Sequence, residues 1–277
     1  MAKRILVAVI FIPVLFCVIM FLPNICWALV VILISGMAAN ELLGAAGEGK
    51  ITRPMQAVTL FSACLIPLGA WMGWSVAVPL TGICVFAVLC TSFWCAIRAY
   101  QDESISIGFY HVMLTLFAGG MIPLGLSALV LLNNLDYGRY LVLFALALNF
   151  GTDGMAYFGG IFLGKHRGVT RVSPKKSLEG YISGFVGGVV IAVVYGLIVG
   201  AVERCDVSLL SLALCGLLGA LVTELGDLAF SFVKRQYGIK DYGNLLPGHG
   251  GMLDRFDSMI FCAPVVLFIV YYLPVFK

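Results

Sequence analysis

The sequence predicts an all-α, polytopic transmembrane protein with about nine spans and a polar loop between the last two. The 277-residue chain is 61% hydrophobic and only 11% charged, whereas about 25% of the residues in ordinary globular domains are charged. Apolar runs of about 18 residues or more, enough for a helix to cross a bilayer, recur along its whole length. Short polar or Pro/Gly segments separate these runs. Together the three observations exclude an ordinary soluble domain.

The predicted spans are, in order, 5–22, 27–43, 55–72, 75–97, 108–133, 138–161, 179–202, 207–233 and 256–274. The first follows Lys3 and Arg4, but no small-residue cleavage site leads into a polar region, so we interpret it as a retained helix. Only Gly73 and Trp74 separate the third span from the fourth. Carboxylates lie within or beside the apolar spans from residue 138 onward. We therefore expect scaffold helices in 1–137 and the catalytic half in 138–277.

The placement of Lys and Arg predicts the orientation of these spans. With the N-terminus inside, the first tail and the even-numbered loops collect fourteen of the seventeen cations. The opposite side keeps Arg139, Arg204 and Lys277. The polar loop before the last span is therefore expected to face the cytoplasm.

The nine cysteines are scattered, without a C-x-x-C pair or a His/Cys spacing typical of zinc sites. Most lie inside apolar runs, where cysteine packs as a small core residue, so disulfides are not expected. No H-E-x-x-H, G-x-S-x-G or G-x-G-x-x-G motif occurs.

Acidic residues in the eighth span are the first candidates for a functional role. Asp227, Ser231 and Arg235 are spaced i, i+4 and i+8, and Glu224 precedes Asp227 by three residues, so all four share one helix face. An Asp deep in a span costs about 2.5–3.5 kcal/mol on insertion scales, which favours a functional interpretation. The alternative is a structural ion pair with Lys234 or Arg235.

Two further carboxylates, Asp254 and Asp257, open the ninth predicted span at positions i and i+3. Compensation of the helix dipole alone would also favour acids here. If they converge with Asp227, they form a hard-oxygen site that suits Mg²⁺ in partnership with substrate phosphates. One or two cations would then lie between the last two spans.

The loop between these spans has the complementary charge. Pro247-Gly-His-Gly-Gly251 allows the backbone to approach a ligand closely and to direct N–H groups at phosphate oxygens. The cations around it, which would neutralise a polyphosphate, are Lys234, Arg235, Lys240 and Arg255. His249 is a candidate catalytic group, and the alternative is a loop histidine without a chemical role.

A second polar patch follows the sixth span and contains Asp153, Gly164-Lys-His-Arg167 and Ser173-Pro-Lys-Lys-Ser-Leu-Glu179. Gly159 to Lys165 has the spacing of a phosphate-binding loop, but His166 stands where Ser or Thr would bind the metal, so that motif is rejected. The basic residues either capture an anionic lipid headgroup or only mark the cytoplasmic side.

These residues together resemble the phosphatidate cytidylyltransferases, also called CDP-diacylglycerol synthases. The C-terminal signature of that family is matched in register by Ser231, Lys234, Arg235, Lys240, Asp241, Gly243, Pro247, His249, Gly250, Gly251, Asp254, Arg255 and Asp257. A second block is matched by Asp153, Ala156-Tyr157, Gly164-Lys165, Ser173-Pro174, Lys176 and Glu179-Gly180. The resemblance covers roughly the second half of the chain.

The resemblance implies transfer of a cytidylyl group from CTP to phosphatidic acid. It implies catalytic roles for Asp227, Lys234, Lys240, Asp241, His249, Asp254 and Arg255. It implies substrate binding by Asp153, Lys165, Ser173, Lys176, Glu179, Ser231, Arg235, Gly250 and Gly251. The metal ligands would be Asp227, Asp254, Asp257 and Glu224.

The expected cofactor is Mg²⁺, with a second, monovalent cation such as K⁺ near Asp227. The expected partners are CTP, phosphatidic acid and membrane lipids, with no nucleic acid, and a homodimer is left open. The expected location is a bacterial inner (plasma) membrane, with the active site facing the cytoplasm.

Two alternatives remain open from the sequence. In an ion-coupled membrane transporter, Asp153, Glu224 and Asp227 would form an ion path, although no internal repeat supports this. In a related lipid nucleotidyltransferase or lipid kinase, the same headgroup chemistry would serve a different lipid acceptor.

Overall fold

The computed structural model describes residues 13–102, 106–245 and 250–277. Within these ranges the named elements are helices, and the β-type pairings are two isolated bridges, so the all-α fold class is confirmed. Helix α1 is described over residues 13–21. The later helices are α2 Asn24–Ala46, α3 Arg53–Trp71, α4 Trp74–Gln101, α5 Phe109–Leu116, α6 Ile122–Asn133, α7 Gly138–Phe162, α8 Leu178–Glu203, α9 Leu209–Gln236, α10 Leu253–Phe256 and α11 Met259–Tyr272.

Seven helical segments of the described chain are long and apolar enough to cross a membrane, as expected of an integral membrane protein. They correspond to the second through the eighth predicted spans, with α5 and α6 joined into one segment by a π-helical turn at Phe117–Met121. The narrow break between α3 and α4 is confirmed, and Gly73 turns there with φ 102°. Residues 5–12 of the first predicted span, 5–22, lie outside the described residues, and most of the remainder forms α1.

The ninth predicted span, 256–274, has a different form in the structure. The single helix expected from Asp254 onward is divided into α10 and α11 by a turn at Asp257 and Ser258. The 14 residues of α11 rise about 21 Å, less than the roughly 30 Å of a bilayer core. The count of nine spans therefore stays a prediction.

The chain divides into two compact units, which do not follow the predicted boundary at residue 137 throughout. The first contains Met1–Asn134 and Gln236–Phe256, and the second contains Leu135–Arg235 and Asp257–Lys277. The polar segment 236–256, predicted to belong to the catalytic half, thus groups with the N-terminal helices. The assignment of catalysis to 138–277 stays a prediction.

In the first unit, the π-helical turn is accommodated by a side chain from α3. Pro123 has no N–H group with which to complete the helical bond to Gly119, and the hydroxyl of Ser62 donates to that carbonyl oxygen at 2.6 Å. A Cβ at Gly119 would lie 3.1–3.2 Å from atoms of Thr59, so glycine permits this close helix approach. Trp27, fully buried on α2, donates its indole N–H to the Leu129 carbonyl.

In the second unit, glycines on α8 allow three helices to pack closely. A Cβ at Gly184 would lie 3.0 Å from Glu224 and 3.1 Å from Ala156, and one at Gly188 would lie 2.7 Å from Ala220. Small residues four apart bring helix backbones together in this way. The packing brings α7 and α9 against the same glycines of α8, so that acidic side chains of α7 and α9 lie near each other.

Candidate active site

The second unit brings four carboxylates from three elements into one cluster. Asp153 comes from α7, Glu224 and Asp227 come from α9, and Asp257 lies in the turn before α11. Asp153 interacts electrostatically with Asp227 and Glu224, and Asp257 interacts with Asp227 and Asp153. We call these four residues the acidic cluster. Four neighbouring carboxylates in an apolar protein require positive charge nearby.

Lys176, in the loop before α8, provides part of that charge. Its ammonium nitrogen lies 2.6 Å from Glu224 Oε2 and 2.7 Å from Asp227 Oδ2. The same group lies 5.3 Å from the centre of the Tyr181 ring. Burial alone would lower the pKa of Lys176, but the charges of Asp227 and Glu224 outweigh it and raise the pKa above its usual value. The group is therefore a cation throughout the neutral range.

Lys234 approaches the cluster from the end of α9, at 3.8 Å from Asp257 Oδ2. The backbone N–H of Ser258 donates to Asp257 Oδ1 at 2.8 Å. The turn can lie against α9 because residue 226 is glycine, where a Cβ would be 2.9 Å from Ser258 Cα. The ion pair considered for Asp227 with Lys234 or Arg235 is thus replaced by the pairs Asp227 with Lys176 and Asp257 with Lys234.

A buried hydrogen-bonded chain supports the cluster, and it was not anticipated from the sequence. Thr223 donates to Asn149 Oδ1 at 3.1 Å, Asn149 donates to Ser258 Oγ at 2.9 Å, and Ser258 Oγ lies 3.5 Å from Asp153 Oδ2. The sequence did contain a pattern that could have indicated this chain. Asn149 lies four residues before Asp153 within an apolar span and therefore shares its helix face.

The chemistry of the cluster fits a divalent cation. Its four carboxylates outnumber the two ammonium groups of Lys176 and Lys234, and carboxylate oxygens suit Mg²⁺. Glu224 Oε1 is buried without a hydrogen-bond partner. As the described side chains stand, no three acidic, His or Cys groups converge at metal-binding distance. The Lys176 ammonium bridges Glu224 and Asp227 instead, so that metal binding there requires it to move.

Glu179 organises the basic loop before α8. Its carboxylate accepts hydrogen bonds from the backbone N–H groups of Lys165 at 3.1 Å and His166 at 3.2 Å, and it contacts the His166 ring. Ser173 lies in the same loop, where its carbonyl accepts from the Lys176 N–H. The structure therefore gives Glu179 a loop-holding role, while direct substrate contact by Glu179 and Ser173 stays a prediction.

The polar segment of the first unit is held by two carboxylates. Asp254 Oδ2 accepts from the backbone N–H groups of Tyr242 at 2.7 Å and Gly251 at 2.9 Å. Glu41 of α2, to which the sequence assigned no role, accepts from Met252 at 2.9 Å and Leu253 at 2.8 Å. Membership of Asp254 in the metal site stays a prediction.

The other predicted residues are distributed as follows. Ser231 and Arg235 lie on the last turns of α9, in the second unit. Lys240, Asp241 and Arg255 are exposed in the first unit, and Gly250 has φ 83°, a conformation that favours glycine. His249 lies outside the described residues. All nine cysteines are free in the structure.

Comparison with known proteins adds independent information. A model of the cytidylyltransferase family matches residues 2–273. The chain is 39% identical over 171 residues to the uncharacterized protein YnbB of Escherichia coli, covering 60% of this chain and 56% of that one. It is 37% identical over 139 residues to the phosphatidate cytidylyltransferase of Bacillus subtilis, covering half of each chain. It is 39% identical over 152 residues to that of Brucella abortus, covering 54% of each. The chain thus spans about half the length of the curated relatives it matches, and the resemblance noted from its motifs is confirmed.

Proposed function

The chain belongs to the cytidylyltransferase family, and we propose that it transfers a cytidylyl group from CTP to phosphatidic acid, giving CDP-diacylglycerol and pyrophosphate. The observation that carries this proposal is the acidic cluster with its bridging lysine, Lys176. Both substrates are polyanions, so their mutual repulsion is the main obstacle to reaction. Phosphoryl-type transfer depends on positioning and on neutralising charge rather than on covalent help from the protein. Carboxylates that can bind a cation, beside ammonium groups that can bind phosphate, meet that need.

Glu224, Asp227 and Asp257 would hold Mg²⁺, with Asp254 as the further ligand expected from the sequence. When bound, the ion supplies neutralisation of the CTP phosphates. A monovalent cation such as K⁺ near Asp227 is also proposed from the resemblance. The unpartnered Glu224 Oε1, and the excess of carboxylates over ammonium groups in the cluster, support a cation at this position.

In the proposed step, an oxygen of the lipid phosphate attacks the α-phosphorus of CTP. A bond forms between that oxygen and the phosphorus, while the bond from the α-phosphorus to the oxygen bridging to the β-phosphate breaks. The bridging oxygen keeps the electron pair and departs as part of pyrophosphate. Because the lipid phosphate is already anionic near neutral pH, no general base is required.

The cationic side chains receive the roles that their positions suggest. Lys176 and Lys165, on the loop held by Glu179, would bind the phosphatidate headgroup. Lys234, at the end of α9, would stabilise the departing pyrophosphate. The same role for Lys240 and Arg255 comes from the resemblance. Guanidinium and ammonium groups bind phosphate strongly through charge-assisted hydrogen bonds.

We further propose that the protein lies in a bacterial inner membrane with this site on the cytoplasmic side. The seven apolar helices and the concentration of Lys and Arg in alternate loops support the proposal. CTP is a cytoplasmic metabolite, which requires the same orientation. A homodimer stays a prediction.

The test uses the full chain purified in lipid nanodiscs, with α-³²P-labelled CTP, phosphatidic acid and Mg²⁺. A labelled lipid should appear, with one pyrophosphate released for each lipid formed. Asp227→Asn should reduce the rate by at least about 10³-fold, as expected for loss of a ligand that stabilises charge in the transition state. Asp206→Asn removes an exposed carboxylate from the same unit and should leave the rate within about twofold.

Other acceptors distinguish the alternatives. A labelled cytidylyl lipid formed from polyprenyl phosphate but not from phosphatidic acid would indicate a related lipid nucleotidyltransferase. Phosphate transfer from ATP to diacylglycerol would indicate a lipid kinase. Ion flux in proteoliposomes without a cytidylyl lipid would support the transporter interpretation, and full activity of Asp227→Asn would remove the acidic cluster from the mechanism.

A further inference from the structure

Glu41 connects α2 to a segment more than two hundred residues later in the chain. Its Oε1 accepts the backbone N–H of Met252 at 2.9 Å, and its Oε2 accepts the backbone N–H of Leu253 at 2.8 Å. Because each oxygen holds a different amide, the carboxylate fixes the orientation of this peptide as well as its position. Both bonds lie within the first unit.

The preceding amide, that of Gly251, is held by a second carboxylate, Asp254. The N–H of Gly251 donates to Asp254 Oδ2 at 2.9 Å, and the same oxygen accepts from Tyr242 at 2.7 Å. Three consecutive backbone amides, 251 to 253, are therefore held by two carboxylates. One carboxylate belongs to the segment itself, whereas the other comes from α2.

Two glycines of the segment provide the space that Glu41 occupies. A Cβ at Gly243 would lie 2.6 Å from Glu41 Oε1, and a Cβ at Gly251 would collide with the same carboxylate. Neither residue is among the glycines with positive φ, so backbone conformation does not explain glycine at these positions. Glycine is explained here by the Glu41 carboxylate, which occupies the space that a side chain would take.

We propose that Glu41 is a positioning residue for the transfer reaction: by holding the backbone amides of Met252 and Leu253, it sets the position of Asp254 and Arg255. This inference rests on the proposed function, because those two residues act there on metal and pyrophosphate. It assigns part of the reaction machinery to α2, in the half of the chain that the sequence identified as scaffold.

The first test compares Glu41→Gln with Glu48→Gln in the full chain in nanodiscs. Glutamine keeps the size of the side chain but replaces one acceptor oxygen with an NH₂ group, which cannot accept a backbone N–H. Hydrogen exchange of peptides covering 250–256 should become at least about tenfold faster, and kcat/KM for CTP should fall about 10- to 100-fold. Glu48, which is exposed and paired with Lys50, is the matched control, and its variant should change neither measurement.

The second test is a double-mutant cycle between Glu41 and Gly251. Gly251→Ala should reduce kcat/KM by about 100-fold in the presence of Glu41, because the new methyl group displaces the carboxylate. In the Glu41→Ala background, the same change should cost less than about threefold, because the space is then open. Additive losses would show that Gly251 does not serve to admit Glu41, and would overturn the proposal.

The exchange measurement separates this inference from the proposed function. We call the hold of the Glu41 carboxylate on the amides of Met252 and Leu253 the clamp. Unchanged hydrogen exchange at 250–256 in Glu41→Gln would show that the clamp does not exist. Faster exchange with full activity would show that the clamp does not position catalytic groups. If the wild-type chain forms no cytidylyl lipid, the proposed function fails, while exchange still decides whether the clamp exists. Should Glu41→Gln not fold, Gly243→Ala replaces it, since it displaces the same carboxylate without removing charge; local exchange must rise there too, or the clamp is wrong.

Discussion

The ammonium group of Lys176 lies 2.7 Å from the carboxylate of Asp227, although 51 residues and the whole of α8 separate them in the sequence. The same nitrogen bonds Glu224, one turn earlier on α9. Lys176 is therefore both the candidate for holding the lipid phosphate and a counter-ion of the acidic cluster. A lysine with two such partners would have to leave one of them when a divalent cation binds.

The first prediction concerns this competition. Lys176→Gln removes the internal cation, so Mn²⁺, used as a spin-active substitute for Mg²⁺, should bind the substrate-free protein about tenfold more tightly, a difference of roughly 1.4 kcal/mol. Turnover should nevertheless fall at least about 100-fold, because the headgroup loses a charged partner. Electron paramagnetic resonance measures the Mn²⁺ affinity independently of activity. Lys175→Gln, a change at the exposed neighbouring residue, should alter neither quantity. An unchanged Mn²⁺ affinity in Lys176→Gln would show that lysine and metal do not compete.

Asp254→Asn should abolish transfer, with a loss of at least about 10³-fold, because the variant loses a charge predicted to bind metal. It should also speed hydrogen exchange at Tyr242 and Gly251, whose N–H groups donate to Asp254. Asp102→Asn, at the exposed end of α4 in the same unit, is the control. Retained activity in Asp254→Asn would remove this residue from the mechanism.

Glu179→Gln should weaken binding of phosphatidate more than it slows the chemical step. The substituted side chain holds the backbone of Lys165 and His166 less well, so the KM for phosphatidate should rise about three- to tenfold, with kcat within about twofold. Steady-state kinetics in mixed micelles separates the two parameters. Glu203→Gln, at the opposite end of α8, should leave both unchanged. A fall in kcat alone would contradict a headgroup-loop role.

Gly188→Val should destabilise the second unit, because its first side-chain carbon would lie 2.7 Å from Ala220 Cβ and 2.9 Å from Thr152 Oγ1. Overpacking of this kind costs about 1–3 kcal/mol and should lower the midpoint of thermal unfolding followed by circular dichroism. A Cβ at Gly154, on α7, would meet no atom within 4 Å, so Gly154→Val is the matched control. Equal midpoints for the two variants would show that α8 does not pack as described.

Some features of the site were predictable because they depend on residues close together in the chain. Helical spacing alone placed Glu224 and Asp227 on one face of α9. The same reasoning failed at Asp254 to Asp257, where a continuous helix was expected and the structure has a turn. That turn is stabilised by the Ser258 N–H bond to Asp257 and lies against Gly226, a contact that no local pattern records.

The sequence by itself determined the helical membrane class and the family, and it identified most of the charged residues of the candidate site. Apolar run length and motif spacing, on which these inferences rest, are properties of neighbouring positions. Only the tertiary structure decided the partners of those charges: Lys176 with Asp227, Asn149 with Ser258, and Glu41 with the amide of Met252. Hydrogen bonds and ion pairs act over about 3 Å in space, whatever the separation along the chain. Which distant groups come that close depends on how the helices pack.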